Sequence, residues 1–321
     1  MNDRLSDKPW WVWLRCVNCR KGALDWRPDT RRVFCQSCLA TFPVFDNRPV
    51  LIRDDNEIFP LNSYRATYST QRGNESSLGR LVPGPSVNLA RKRVLTILRE
   101  RLRKVGESSV LVVGGGRQRR GLDECLSLAA PSAMVYIDID QHADVDVFCD
   151  AHELPYFDRC FDAVVTTAVL EHVLYPEVVA SEIRRVLKLN GLLYSEVPFM
   201  QQVHEGAYDF TRYTLSGHRR LFNGFKEIES GMVAGPATAL VWAIENFALA
   251  FVVRSMQRRA TKALVRFSFG WLRYFDHLLV NRPEAMDGAS CTFFFGLKIE
   301  GRVPDKDIVA HYVGAKHVQH F

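Results

Sequence analysis

Two cysteine pairs place the tightest constraint on how this chain folds. Cys16-x-x-Cys19 and Cys35-x-x-Cys38 are separated by fifteen residues, a spacing that reads as a four-cysteine zinc site. Each pair can close a tight knuckle, and two knuckles bring four thiolates into the tetrahedron that Zn²⁺ accepts. The alternative is four unrelated thiols in a reducing compartment. Four cysteines leave no open position for water, so the zinc is expected to be structural. A segment this short lacks a core of its own, and metal binding would supply much of its folding energy. Residues 1–58 are therefore expected to form a zinc ribbon. Residues 59–85, with interspersed Asn, Ser, Gly and Pro, are expected to form a linker.

The remaining length is enough for a second, larger domain, since 321 residues correspond to about two domains. A hydrophobic fraction of 47% against 24% charged residues supports a full core. That excludes a disordered tail protein, a collagen-like chain and a disulfide miniprotein. The start, MNDRLSDKPWWVWLRC, has no apolar h-region, so no signal peptide is expected. The chain is expected to be cytoplasmic, with eight cysteines that serve as metal ligands or buried thiols rather than bridges. The net charge of +6 is too mild to indicate a nucleic-acid partner. Its distribution says more: residues 61–120 hold 13 basic and 3 acidic residues, and residues 121–170 hold 1 basic and 10 acidic. The acidic stretch suits a ligand with positive charge or many hydroxyls, such as a nucleoside, although acidic helix faces would give the same balance.

From about Ser86 the periodicity changes. Val94, Leu95, Leu98, Leu102 and Val105 recur every three to four residues among Arg and Lys, which predicts an amphipathic helix ending at Gly106. A short apolar strand, Val110 to Val113, runs into Gly114-Gly115-Gly116, and a helix is expected from about Arg119 to Leu128. Further strands are expected at Met134–Ile137, Val145–Cys149, Phe161–Thr166 and Leu192–Val197, with a helix at about Glu177–Leu187. Alternating strands and helices predict an α/β fold with a parallel sheet covered on both faces. Ligands of such sheets bind beyond the carboxyl ends of the strands.

The glycines alone are a weak signal. Gly114-x-Gly116 fits the first two positions of a dinucleotide fingerprint, but Arg119 stands at the third; a plain tight turn would look the same. Asp138 ends the next strand, where a carboxylate can accept from both ribose hydroxyls of NAD or of S-adenosylmethionine (SAM). A solvated strand-end carboxylate is the other reading.

Longer patterns separate these options. The run Phe42-Pro43-Val44-Phe45-Asp46-Asn47-Arg48-Pro49-Val50-Leu51-Ile52 follows the second cysteine pair. With those cysteines it resembles, over about residues 12–53, the zinc-ribbon family that includes the small activator subunit of tRNA and protein methyltransferases. The second resemblance rests on Asp150-Ala151-His152-Glu153-Leu154-Pro155-Tyr156, Phe161-Asp162-Ala163-Val164-Val165, Leu170-Glu171-His172-Val173 and Arg185-Val186-Leu187-Lys188-Leu189-Asn190-Gly191. These ordered motifs resemble the type-11 group of class I SAM-dependent methyltransferases, over about residues 108–230. The resemblance implies a Rossmann-like class I methyltransferase sheet with helices on both faces, preceded by the small ribbon. It implies that Gly114, Gly115 and Gly116 pack against the methionine part of SAM and that Asp138 holds the ribose. Asp150 would sit by the adenine amino group with Ala151 and His152 beside it. Thr167 and Leu170 to His172 would form the loop facing the methyl group. The chain departs from the family at Val112, where an Asp or Glu is usual, and at Gln118, near the place of a third loop glycine.

The run from Pro198 to Thr214 contains His204, Asp209, Arg212 and Tyr213. It is similar to a segment found in type-11 relatives of glycan and lipid-carrier pathways, where the acceptor approaches. His204 is the first candidate for the base that takes the acceptor's proton, because its unshifted pKa lies near neutrality; His172 is the second. A structural hydrogen-bonding role for His204 is the alternative. Asp209 and Arg212 either touch substrate or pair with each other to order the loop.

Between an expected sixth strand (Lys226–Val233) and a last one (Cys291–Glu300) lies a helical insertion at about 236–290, where the family has a short hairpin. Its apolar stretch, 237–253, contains Glu245 and is shorter than a bilayer span, so a transmembrane helix is not expected. Basic and aromatic residues follow, and the insertion is expected either to lie on a membrane surface through about 237–275 or to form a lid. The leading expectation is methyl transfer to a small-molecule, glycan or lipid-linked acceptor. The rivals are an RNA or protein methyltransferase, a non-catalytic scaffold and, last, an NAD oxidoreductase.

Overall fold

The computed structural model describes residues 5–59, 84, 86–116, 122 and 133–315. The expected helix at 119–128, Gln118 and most of the expected linker lie outside the described residues.

Four short strands build the ribbon: β1 (Leu24–Arg27), β2 (Arg32–Cys35), β3 (Thr41–Phe45) and β4 (Arg48–Leu51). Helix α1 (Arg91–Arg103) leads into β5 (Ser109–Val113), β6 (Ala133–Asp138), β7 (Val147–Cys149) and β8 (Phe161–Thr167). Then come α2 (Pro176–Val186), β9 (Leu187–Pro198), α3 (Leu215–Leu221) and β10 (Phe225–Ala234). After these follow α4 (Pro236–Leu249), α5 (Ser255–Phe269) and β11 (Cys291–Lys298).

All eleven strands join one sheet in the order β1-β2-β3-β4-β7-β6-β5-β8-β9-β11-β10. The central strands β7, β6, β5, β8 and β9 are parallel, and β11 inserts antiparallel between β9 and β10. The period-two alternation of the strands divides two cores. Leu111, Val113, Val135, Ile137 and Val164 face one side with Val179, Ala180 and Ile183 of α2. Val110, Val112, Tyr136, Ala163 and Val165 face the other with Val94, Leu95, Leu98 and Leu102 of α1. The fold is thus the expected α/β class: a Rossmann-like sheet of the class I methyltransferase type with helices on both faces, preceded by a four-cysteine ribbon.

The ribbon is not held by a tether alone. Strand β4 pairs in parallel with β7, Val50 opposite Phe148 and Leu51 opposite Cys149. Residues 13–15 run beside 155–157, with Arg15 N donating to Pro155 O and Phe157 N to Trp13 O, both at 2.9 Å. The ribbon's Trp10, Trp11 and Leu14 share the α2-side core, and Trp13 meets Phe161 edge-on at 5.4 Å. Burial of this much aromatic and aliphatic surface, at roughly 25 cal/mol per Å², joins the two parts into one cooperative body.

Most strand ends shift by one or two residues from the sequence reading, and the start of β9 shifts by five. Strand β7 starts at Val147 rather than Val145, because the Asp146 carboxylate accepts from Tyr136 N at 2.8 Å in place of a longer ladder. Strand β9 starts at Leu187, the last residue of the expected helix, rather than at Leu192: Leu187 pairs with Phe161, and Asn190, at φ 61°, absorbs the register shift.

The segment between β10 and β11 forms a helical appendage in which α4, α5 and the turns 270–288 pack on one another. Two buried carboxylates organise it. Asp276 accepts from Gly235 N, Ala237 N and Thr238 N, capping the start of α4 from 38 or more residues away. Glu245 accepts from Arg266 Nε at 2.6 Å and Nη2 at 3.0 Å, tying α4 to α5. Among the described residues, no helix is long and apolar enough to cross a membrane.

One buried histidine has a measurable consequence. His218 of α3 is fully enclosed, with Nε2 2.9 Å from Ser195 Oγ. Burial, and secondarily the Arg219 charge, push its pKa down to about 3. In the unfolded chain the imidazole titrates near 6.5, so the unfolded state binds more protons between those values. This contribution to stability is complete above about pH 6.5 and is lost as the pH falls toward 3. Thermal midpoints should decline below pH 6.5, and His218→Gln should flatten the decline; parallel slopes would exclude the ring as its source.

Candidate functional site

The site lies where the parallel strands end. Between β5 and the chain beyond it, Gly114 turns at φ 76°, and its amide and that of Gly115 both donate to Ile137 O, at 2.9 and 3.0 Å. A Cβ at Gly114 would lie 2.1 Å from Val169 Cγ2, so the turn also requires an absent side chain. Gly116 N donates to Asp138 Oδ2 at 2.9 Å, and Asp138 Oδ1 accepts from Ile139 N and Asp140 N at 2.7 and 2.9 Å. Asp138 is thereby fixed by backbone donors on both oxygens; burial nevertheless raises its pKa.

At the next strand end, Asp150 accepts from His152 N at 2.9 Å and lies 2.6 Å from His152 Nδ1. Tyr175 N donates to His152 Nε2 at 3.2 Å, which leaves the ring proton on Nδ1, toward Asp150. The second oxygen of Asp150 accepts from Asn56 Nδ2 of the ribbon at 2.9 Å. Burial opposes ionisation of Asp150, but the His152 and Asn56 hydrogen bonds outweigh it and lower its pKa.

These groups line a cleft of about 550 Å³ together with Val113, Ile137, Ala151 and Val169, within the size range of small-molecule and cofactor pockets. Ile58 and Phe59, which follow the ribbon, line it too, and Phe59 stacks on Tyr208 with ring centroids 6.0 Å apart. The sequence reading missed Asn56, Ile58 and Phe59. Nothing in a run assigned to a ribbon end and linker signals a contact nearly a hundred residues away; only the β4–β7 pairing brings them there.

Gly114, Gly116, Asp138, Asp150, Ala151, His152 and His172 therefore converge on one cleft. Three other expected cofactor residues do not line it. Gly115 packs toward Tyr136 and Val145, while Thr167 and Leu170 are buried, Leu170 in the α2-side core. Val112, where the family usually has an acid, points into the opposite core, away from the cleft that Val113 lines.

The rim on the far side is built by the 199–214 segment. His172 Nδ1 is 2.7 Å from Tyr208 O, and its Nε2 is 3.6 Å from Glu171 Oε1. The His172 and His204 rings meet edge-on at 4.9 Å. Burial, opposed by the Tyr208 carbonyl, lowers the His172 pKa, so this imidazole is neutral at pH 7. Asp209 accepts from both ends of the Arg212 guanidinium and from His204 N at 2.9 Å. Although burial opposes ionisation, the Arg212 hydrogen bonds then hold its pKa down to about 2. Arg212 also donates to Gln201 O and Gln202 O. Asp209 and Arg212 thus order the loop, and with His204 and Tyr213 they lie outside the cleft lining. Among the described residues, the 236–290 appendage contributes none to the lining.

In the ribbon, the four cysteine sulfurs lie within 4.8 Å of one another. Cys16 Sγ is 3.7 Å from Cys38 Sγ, and Cys19 Sγ is 3.6 Å from Cys35 Sγ. A tetrahedron of 2.3 Å Zn–S bonds has edges of about 3.8 Å. The knuckles match each other: Arg20 and Leu39, each following a second cysteine, have φ 59° and 61°. Gly22 N donates to Cys19 Sγ, and Ser37 N and Cys38 N donate to Cys35 Sγ. Backbone amides of Lys21 and Gly22 lower the Cys19 pKa to about 6. A Cβ at Gly22 would lie 2.3 Å from Cys35 Sγ, so the knuckle admits no side chain there. These donors and spacings suit a structural zinc ion.

Residues 113–195 match the family model described as a methyltransferase domain, Methyltransf_11. No curated protein matches the sequence. Solved structures similar to the chain include a Galdieria sulphuraria protein described as a sarcosine dimethylglycine methyltransferase, with 13% identity and a TM-score of 0.41, covering 67% of this chain and 92% of that one. A Burkholderia thailandensis 1,6-didemethyltoxoflavin-N1-methyltransferase has 14% identity and a TM-score of 0.38, covering 66% and 79%. Phosphoethanolamine N-methyltransferase 2 of Haemonchus contortus has 16% identity and a TM-score of 0.38, covering 65% and 53%. The family match, together with the strand order and the cleft, supports a class I, SAM-dependent methyltransferase domain in this part of the chain.

Proposed function

We propose that the chain is a SAM-dependent methyltransferase that carries its own zinc ribbon, and that it methylates a small-molecule, glycan or lipid-linked acceptor. One observation carries this reading: Asp138, Asp150 and the Gly114 turn converge on a cleft at the carboxyl ends of β5, β6 and β7, where ligands of such sheets bind. In this reading the Gly114–Gly116 turn admits the methionine part, and Asp138 offers its remaining lone pairs to the ribose hydroxyls. Asp150, with Ala151 and His152, faces the adenine.

Bound SAM supplies a methyl carbon already activated by the adjacent sulfonium. The protein then has to align the acceptor, exclude water and take a proton. His172 and His204 stand at the rim from which an acceptor would approach, and the Nε2 atom of either can take that proton. The Asp209–Arg212 pair holds the His204 loop in place. Titration calorimetry with S-adenosylhomocysteine tests the reading: one saturable site per chain is expected. No saturable heat at millimolar ligand would leave a metal-stapled scaffold instead.

A second observation favours a lipid-linked or membrane-proximal acceptor. The helical appendage leaves Phe247, Phe251, Met256, Leu264, Phe267 and Trp271 each more than half exposed, interleaved with Arg254, Arg258, Arg259 and Lys262. Apolar side chains beside basic ones suit the surface of an anionic bilayer. The protein should float with phosphatidylserine vesicles, and Phe251→Asp with Trp271→Asp should reduce the floated fraction several-fold. Absence of flotation at low salt would remove the membrane part of the proposal.

A further inference from the structure

Glu171, His172 and His204 each offer one ligand atom, and these atoms lie within 4.8 Å of one another; of the three, His172 lines the cleft. The protonation of both rings follows from their neighbours. His172 Nδ1 faces only a backbone carbonyl, Tyr208 O at 2.7 Å; a carbonyl can only accept, so Nδ1 carries the proton and Nε2 of the neutral ring has a lone pair. That lone pair faces Glu171 Oε1 at 3.6 Å. His204 Nδ1 faces Gln202 O at 3.2 Å and the Asp209 carboxylate at 3.4 Å. It too donates from Nδ1. An imidazole whose far N–H is anchored on a carbonyl or carboxylate is the arrangement that orients metal-binding histidines and raises their basicity.

We propose that Glu171, His172 and His204 form a second metal site, distinct from the ribbon, that binds a divalent cation through one ring nitrogen of each histidine and one carboxylate. Two imidazoles with a carboxylate suit Zn²⁺, Fe²⁺ or Mn²⁺ rather than Ca²⁺, which takes oxygen ligands. Bonds of about 2.0–2.2 Å place ligand atoms roughly 3–3.5 Å apart. Binding therefore requires the cluster to contract by about an ångström, which rotation of two partly exposed rings supplies. The neighbouring Asp209 and Glu205 carboxylates add negative potential around the cation. Three protein ligands leave coordination positions open, as in catalytic zinc sites. Its role rests on the methyltransferase reading and, with the cation bound, replaces the proton-accepting role of the two histidines: the cation would hold and polarise an oxygen of the acceptor, hydroxyl or phosphate, beside the methyl donor.

Cobalt titration of the full chain, with metal content measured by elemental analysis, tests the site. The four-thiolate ribbon gives an intense thiolate-to-cobalt charge-transfer absorption, whereas an imidazole–carboxylate site adds only weak visible bands. Two cobalt ions per chain are expected in the wild type. One is expected in His204→Ala and in Glu171→Gln, with the ribbon absorption unchanged and the circular dichroism native. A single ion per chain in the wild type, or two in both variants, would overturn the proposal. Calorimetry with S-adenosylhomocysteine on the same samples separates the two claims. Saturable binding with one metal overturns the second site alone, and two metals without nucleoside binding overturns the methyltransferase reading.

Discussion

Replacing Cys16 and Cys19 together by serine should lower the thermal midpoint by more than about 10 °C and weaken S-adenosylhomocysteine binding at least tenfold. The ribbon's sulfur tetrahedron is its organising contact, and structural zinc in small modules contributes on the order of 10 kcal/mol to folding. Without it, the ribbon that presents β4 to β7 loses its internal support, and the β4–β7 ladder and the core that Trp10, Trp11 and Leu14 share with the sheet are weakened. A loss of several kcal/mol in a chain of this size corresponds to the stated shift. The effect on binding has a separate cause. The Asn56 hydrogen bond to Asp150 and the Ile58 and Phe59 walls of the cleft belong to the chain that the ribbon positions. Scanning calorimetry and ligand titration measure the two effects independently. A variant that loses thermal stability but keeps full affinity would disprove the claim that the ribbon completes the cleft, while leaving its structural role intact.

Gly114→Ala should reduce nucleoside affinity by about 30-fold or more. The added Cβ meets Val169 Cγ2 at 2.1 Å, and φ 76° is a conformation that costs an L-residue about 1–2 kcal/mol. Relief of either strain displaces the turn that fixes Gly116 N on Asp138. The other Cβ neighbours, at 3.5 and 3.8 Å, also belong to Val169. Adding Val169→Ala should therefore recover part of the affinity, leaving the backbone strain. An unchanged affinity in Gly114→Ala would show that the nucleoside does not approach this turn. The absence of any recovery in the double variant would show that strain, not the clash, dominates.

The continuous apolar run from Val110 to Val113 already assigned a buried strand, because apolar side chains on both faces have only one home in a sheet covered by helices. The 3.6-residue spacing of Val94, Leu95, Leu98 and Leu102 assigned α1 in the same way. Gly114, Gly116, Asp138 and Asp150 were legible as strand-end residues, and the cleft unites them. Thr167, at the end of β8, and Leu170, in the turn beyond it, are buried rather than part of the cleft lining, because the path of the chain after β8 is not encoded in a local pattern. Glu171-His172 and His204 were each legible as candidates, but nothing in the sequence joined them, since His204 stands over thirty residues from His172 and meets it only when the 199–214 loop folds back.

Local chemistry, then, was enough to specify the cysteine tetrahedron, the strand and helix periods, and the acids at the strand ends. These depend on spacings of one to four residues, or on a metal's demand for four thiolates. The tertiary structure alone decided that β4 extends the sheet beside β7, that Asn56 and Phe59 reach the cleft, and that the 236–290 helices stand clear of it. Such outcomes depend on which exposed strand edge and which apolar face meet across long stretches of chain, and no local pattern encodes that choice.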